Sequence, residues 1–199
     1  PGPVSYGPPV RAQGAQGLEE LTAYRRALAA HAEVIVVDGS DPPVFAAHAA
    51  HWAPHVRHMR PHADLGFLSG KVDGVTTGVR EASHERVVIA DDDVRYDAAA
   101  LERMRDELGR ADLVRPQNHF RPLPWHARWD SARSLLNRGI LGADHPGTLG
   151  VRRSTFISAG GYDGDVLFEN LELVRTIAAA GGRVATPPDL IVRRLPPTT

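Results

Sequence analysis

The chain contains no cysteine. That excludes disulfides, iron–sulfur clusters and thiolate zinc sites, and it fits a reducing compartment. Surplus charge is missing too. Lys and Arg number 23 against 24 Asp and Glu, a formal net charge of −1, and a nucleic-acid partner, which calls for a basic excess, is not expected. The longest apolar runs, such as Val34–Val37, are strand-sized and far short of a membrane span. Pro1-Gly2-Pro3 lacks the basic and apolar regions of a signal peptide. These absences set the expected location as the cytoplasm, the cytoplasmic face of a membrane included.

What is present suits one globular domain. Charged residues make up 24% and hydrophobic ones 42% of 199 residues. At this length folding buries roughly 70% of the unfolded chain's surface, enough for a core without staples. Strand-like and helix-like segments alternate, which predicts an α/β fold in three layers, a mainly parallel sheet flanked by helices. The first strand, Val4 to Val10, is interrupted by Gly7, Pro8 and Pro9. Leu18, Leu21 and Leu28 mark a helix face, Val34–Val37 reads as a buried strand, and a short helix is expected from Val44 to Trp52. A weak strand near Val56 and a helix over 70–83 follow, then a second buried strand, Val87–Ala90. Asp97 is placed as the N-cap of a helix carrying Leu101, Met104 and Leu108. Beyond it come a short strand at Leu113-Val114, a helix face at Trp125 and Trp129, a glycine-rich stretch over 147–150, a helix from Leu167 to Ala180, and strands between Arg183 and Arg194.

Three segments carry chemistry. Asp91-Asp92-Asp93 follows a buried strand directly, at the carboxyl edge where open α/β sheets bind ligands. Three adjacent acids repel, and magnesium or manganese, which take oxygen ligands and bridge to phosphates, would offset that cost. Read as an extended segment, Asp91 and Asp93 share a face and Asp92 points away. Asp38-Gly39-Ser40 also follows a buried strand; Gly39 permits a tight turn, and Asp38 can accept hydrogen bonds from a base or ribose. Third, Phe168-Glu169-Asn170-Leu171-Glu172-Leu173 begins a helix after the Gly160-Gly161-Tyr162-Asp163 turn, and a carboxylate there can act as a general base. Each segment alone is equally an acidic turn or a favourable helix start. Their combination argues otherwise.

Taken in order, VIVVDGSD (34–41), GKVDGVTTG (70–78), VVIADDDV (87–94), GGYD (160–163), FENLEL (168–173) and AAAGGRVA (178–185) resemble the family 2 glycosyltransferases of the GT-A fold, a Rossmann-like nucleotide-diphospho-sugar transferase architecture, over nearly the whole chain. The resemblance implies transfer of a hexose from a UDP- or GDP-linked sugar to a hydroxyl acceptor, lipid or polysaccharide, with Mn2+ or Mg2+ and inversion at the anomeric centre. It implies Asp38, Gly39, Ser40, Lys71 and Asp92 at the donor and Asp91 and Asp93 in the D-x-D positions, Asp93 as the direct metal ligand. Residues 1–95 would bind the nucleotide and residues 96–199 the acceptor, within a single domain.

The chain departs from the family pattern at several points. Asn170 occupies the place of the usual catalytic aspartate, which leaves Glu169, Glu172 or Asp163 as the acid that reaches the acceptor. Thr77 replaces a common asparagine, prolines interrupt a central strand, and the chain ends without the Q-x-x-R-W element of many relatives, so the acceptor side is expected to be truncated. Two other functions fit parts of the pattern. One is a non-catalytic nucleotide-sugar-binding domain, suggested by Asn170. The other is a sugar nucleotidyltransferase, faintly echoed by the Arg11–Gly17 segment. His48, His51, His55, His58 and His62 would form a stripe on one continuous helix, but Pro54 and Pro61 break such a helix. Arg152 and Arg153 read equally as diphosphate ligands or solvent-facing cations, and His119 and His126 as acceptor-site candidates.

Overall fold

The computed structural model describes residues 3–12, 18–120, 147–162 and 169–196. Its frame is a sheet that, among the described residues, has eight strands. At the centre lies β1 (Val4–Gly7), parallel to β3 (Glu33–Asp38) on one side and to β5 (Arg86–Ala90) on the other. Beyond β3 comes β4 (Arg57–Met59), also parallel. Beyond β5 come β9 (Thr148–Arg152), antiparallel to both neighbours, then β7 (Leu113–Val114) and β10 (Val184–Ala185). The sheet is mainly parallel, as expected, with one reversed strand.

The proline break does not remove the first strand; it divides it. Val4–Gly7 pairs on both sides, whereas β2 (Pro9–Val10) pairs with β3 alone. Proline has no N–H for a ladder, and successive residues of a strand face opposite sides, so the chain parts from β5 where Pro9 would have had to donate to it. The Pro8 carbonyl still accepts from Val37 N–H at 3.3 Å, keeping the β3 side closed.

Alternation along the buried strands fills a core on each face. Val34 and Val36 join Leu18 and Leu28 of α1 (Leu18–Leu28), Trp52 of α2 (Pro42–Trp52), and Leu101 and Met104 of α4 (Ala98–Glu107). Ile35 and Val37 join Val72, Val75 and Val79 of α3 (Gly70–Glu81), Phe156 of α5 (Arg153–Ser158), and Leu173 and Ile177 of α6 (Glu169–Ala179). Each such side chain contributes ~1.5–3 kcal/mol when fully buried. These are the three layers.

Two boundaries move. Helix α2 begins two residues earlier than the sequence suggests, because Pro42 and Pro43 occupy its first turn, where a missing N–H costs nothing. Asp97 does cap α4, accepting from Ala100 N–H at 2.8 Å. A small second sheet, β6 (Val94–Arg95), β11 (Ile191–Arg194) and β8 (Gln117–Phe120), stands beside the carboxyl edge. Its register sets Arg194 opposite Val94.

Candidate functional site

A cavity of about 330 Å³ opens at the carboxyl edge, between the divergent β2 and the end of β5. It is lined by Pro9, Val10 and Arg11 after the break, Gly70 and Lys71 at the start of α3, Asp91, Asp92 and Asp93 after β5, and Arg194 at the end of β11. Successive strands leave β1 in opposite directions here, the place where open α/β sheets bind ligands.

Charge in the cavity is arranged as a chain of ion pairs. Lys71 Nζ is 2.7 Å from Asp91 Oδ1 and 2.7 Å from Glu169 Oε1. Arg194 Nε lies 2.6 Å from Asp93 Oδ2, and its terminal nitrogen 3.6 Å from Asp91 Oδ2. Burial works to lower the Lys71 pKa, but Asp91 and Glu169 outweigh it and raise the value, so the ammonium stays charged. Asp91 is raised by burial in spite of Lys71 and Arg194, with the neighbouring charge of Asp93 acting the same way. The other oxygen of Asp93, Oδ1, is buried with no hydrogen-bond partner. The acidic turn thus has spare negative charge and a spare oxygen.

The three aspartates do not form an extended segment. Val94 N–H bonds back to the Asp91 carbonyl at 3.1 Å, a turn, and all three line the cavity. Asp91 and Asp93 are brought together by sharing Arg194, not by strand alternation.

At the start of α6 the two candidate positions part. Glu169 reaches Lys71, whereas Asn170 is buried and accepts a 2.8 Å hydrogen bond from the Tyr162 hydroxyl. Burial pushes the Tyr162 phenol well above its ordinary pKa, so it remains a donor. Glu172 is half-buried, 3.6 Å from Arg175. Asp163 lies outside the described residues, as do Trp125, His126 and Trp129.

Asp38 does not line this cavity. It is fully buried, with Oδ1 accepting from Ser40 N–H at 2.9 Å and Oδ2 facing His48 Nδ1 at 2.7 Å and His58 Nε2 at 3.0 Å. Burial would raise its pKa, but the hydrogen bonds from His58, Ser40 and His48 hold it far below the ordinary carboxylate range. Ser40 is buried too, its Oγ accepting from Ala12 N–H at 2.9 Å, while Gly39 is exposed and donates its N–H to the Val10 carbonyl at 2.9 Å. The Asp38–Ser40 turn is therefore braced against the segment that leaves β2. Asp38, His48 and His58 bring ligand-type atoms within 4.8 Å of one another. Both imidazoles spend a proton on the same carboxylate oxygen, and His58 Nδ1 has no partner. A metal-bound imidazole normally has that second nitrogen tied down, so the set reads as a hydrogen-bonded brace.

The histidines therefore do not form one stripe: α2 ends at Trp52, and β4 returns His58 to Asp38. Arg152 and Arg153 lie away from the cavity. Arg152 donates to the Leu108 and Gly109 carbonyls and Arg153 to those of Val79 and Arg80, at the carboxyl ends of α4 and α3, where cations are favourable. His119 is exposed on β8, and Thr77 is buried, its hydroxyl accepting from His62 N–H at 2.9 Å. Sequence reasoning missed Arg11 and Arg194 as lining cations. The signals for Arg11 were its place just past the interrupted strand and the Arg11–Gly17 echo of a basic loop, and for Arg194 there was none short of the strand register.

The architecture is that of the GT-A fold. Comparison with solved structures agrees. Mannosyltransferase PcManGT from Pyrobaculum calidifontis, solved with GDP-Man and Mn2+, superposes at a TM-score of 0.69 with 22% identity, over 98% of this chain and 57% of that one. Glucosyl-3-phosphoglycerate synthase from Mycobacterium tuberculosis, solved with Mg2+ and UDP, gives 0.63 at 16% identity over 97% of this chain and 69% of that one. TarS of S. aureus gives 0.64 at 14% identity over 98% and 60%. The chain thus spans little more than half the length of the mannosyltransferase. No family model and no curated protein matches the sequence.

Proposed function

We propose that the chain is the donor-binding catalytic domain of a glycosyltransferase, moving a hexose from a UDP- or GDP-linked sugar to a hydroxyl acceptor with inversion. The observation that carries this reading is the cavity in which Lys71, Arg11 and Arg194 surround three aspartates at the switch point of a GT-A sheet. Cations there suit a diphosphate, and two of the three solved neighbours hold GDP-Man or UDP together with Mn2+ or Mg2+.

The residues fit such a metal. Asp93 has an unpartnered oxygen, Asp91 stands beside it on the shared Arg194, and carboxylates are the ligands that Mg2+ and Mn2+ prefer. Asp91 and Asp93 would hold the ion, which when bound acts as a Lewis acid on the departing diphosphate, an effect worth several kcal/mol. Lys71 and Arg11 would bind the diphosphate oxygens, and Asp92 would complete the donor wall. Asp38, with Gly39 and Ser40, would shape the nucleoside end of the cavity from behind through the bonds to Val10 and Ala12.

Glu169 is our candidate for the general base, since it is the α6 carboxylate in contact with the site, through Lys71. Taking the acceptor proton would contribute about 10²–10⁴ in rate. Asp163 and Glu172 would lie on the acceptor side, and a lipid or polysaccharide acceptor follows the family resemblance. Within one domain, residues 1–95 would supply most of the donor site and 96–199 the acceptor side together with Glu169 and Arg194. The cytoplasm, at the membrane face or free, fits the absence of cysteine. Among the described residues no helix is long and apolar enough to cross a membrane.

A second reading rests on Asn170, an amide in the usual base position: a domain that binds the nucleotide sugar without turnover. Titration of UDP and GDP with and without Mn2+, on the native chain and Asp93→Ala, tests the common ground of both. Binding that requires the metal and Asp93 supports the donor site; no metal-linked binding of either nucleotide removes it. Release of nucleoside diphosphate from a sugar donor then separates the transferase from the binding domain, and pyrophosphate release from a nucleoside triphosphate would indicate a nucleotidyltransferase instead.

A further inference from the structure

Arg194 stands where a metal's charge would be felt. Its guanidinium is 2.6 Å from Asp93 and 3.6 Å from Asp91, the two carboxylates read above as metal ligands. Its backbone cannot drift. The Leu195 N–H bonds to the Asp93 carbonyl at 2.8 Å, and Arg194 pairs with Val94 across β11 and β6, so the residue is stitched to the acidic turn it faces. Gly147 makes room on the other side: a methyl group there would meet the guanidinium carbon and one nitrogen at 2.9 Å. Gly147 in turn accepts the Asp91 N–H at 2.9 Å, so turn, glycine and arginine form one assembly.

We propose that Arg194 is an internal counter-cation that couples metal to diphosphate. Without ligands it holds Asp93; when a divalent cation takes the carboxylates, it swings to the diphosphate, so each ligand binds far better in the presence of the other. The inference rests on the donor-site reading and adds a role for a residue outside the D-D-D turn.

Charge bookkeeping supports it. Arg11, Lys71 and Arg194 face Asp91, Asp92 and Asp93 in the cavity wall, and Glu169 adds a fourth acid through Lys71. A metal arriving alone would add two positive charges and displace the guanidinium from Asp93. A diphosphate arriving alone would have to draw the cations off their carboxylates. Arriving together, the two ligands offset each other's charge. Arg194 suits the exchange because its side chain and that of Asp93 are 25% and 31% exposed, and a partly exposed ion pair is weakly held. Its planar fork also matches two phosphate oxygens at once.

The test measures Mn2+ binding by electron paramagnetic resonance and UDP or GDP binding by calorimetry, each ligand alone and with the other, on the native chain, Arg194→Gln and Gly147→Ala. In the native chain each ligand should tighten the other about 5–150-fold, by the same factor in both directions. In Arg194→Gln, Mn2+ alone should bind more tightly, the diphosphate more weakly, and the mutual factor should fall towards one. Gly147→Ala should push the guanidinium from its place and shift Mn2+ binding in the same sense, which keeps the inference testable if one variant folds poorly. Native coupling that survives unchanged in both folded variants overturns the role of Arg194 and leaves the donor site standing. Absence of Mn2+-linked nucleotide binding in the native chain overturns both.

Discussion

The Tyr162 hydroxyl and the Asn170 carboxamide meet at 2.8 Å in a buried contact, and this bond turns the amide away from the charged cavity. One residue earlier, Glu169 takes the opposite direction, to Lys71. The helix start therefore offers the site a carboxylate at 169 and the core an amide at 170.

Glu169→Gln should cut turnover about 10²–10⁴-fold while leaving UDP or GDP binding within a few-fold. Asn170→Asp should not raise turnover. Steady-state kinetics on both variants decides this. A gain in rate on installing aspartate at 170 would move the base to that position.

Tyr162→Phe removes the buried hydrogen bond from the hydroxyl to the Asn170 oxygen, at a cost of about 0.5–1.5 kcal/mol. Urea denaturation should show the loss as a lower midpoint with an unchanged slope. A midpoint that stays put would mean the bond contributes nothing net.

Gly74 in α3 lies against Pro9 of the divided strand, and a Cβ there would sit 2.8 Å from Pro9 Cβ. A pyrrolidine ring cannot rotate aside, so Gly74→Ala should destabilise by ~1–3 kcal/mol in spite of alanine's higher helix propensity. It should also weaken nucleotide binding, since Pro9 is part of the cavity wall. A Tm equal to that of the native chain would show that α3 can slide.

Acid should destabilise the fold through Glu33. Burial pushes this carboxyl up, but hydrogen bonds from Ser5, Ser83 and Arg57 outweigh it and bring its pKa from an ordinary 4.5 to about 2. A depressed carboxylate stabilises the folded state fully above its unfolded value and loses that contribution as pH falls. The Tm should therefore drop between about pH 4.5 and about pH 2, with Asp38 adding to the loss in the acid range because its pKa is also depressed. Glu33→Gln should be less stable at neutral pH and show a shallower fall over that window. Parallel Tm–pH curves for the two chains would remove Glu33 from the account.

Much of this arrangement was legible in the sequence, and the rest was hidden for specific reasons. Val34–Val37 and Val87–Ala90 announced themselves because strands buried on both faces are apolar throughout. The acids that follow them were visible for the same reason, as abrupt ends to those runs. Strand β9 was not visible. Gly147 before it and Gly150 within it read as a glycine-rich stretch, yet Gly150 is needed where a Cβ would strike Met104 Sδ, a contact between elements far apart in the chain. The buried state of Asp38 was hidden likewise: it depends on His48 and His58, which the break at Pro54 delivers from two different elements. Spacing along one chain carries no signal for such convergence.

The divided first strand also has a bearing on how ligands would enter. Because β2 parts from β5 through the covalent nature of Pro9, the crevice between them needs no strand to be prised away. Admission of a ligand then asks only for side-chain rearrangement, and little ordering entropy is drawn from its affinity. The heat-capacity change on binding should accordingly reflect the ligand and its immediate contacts, with no component from refolding of the sheet.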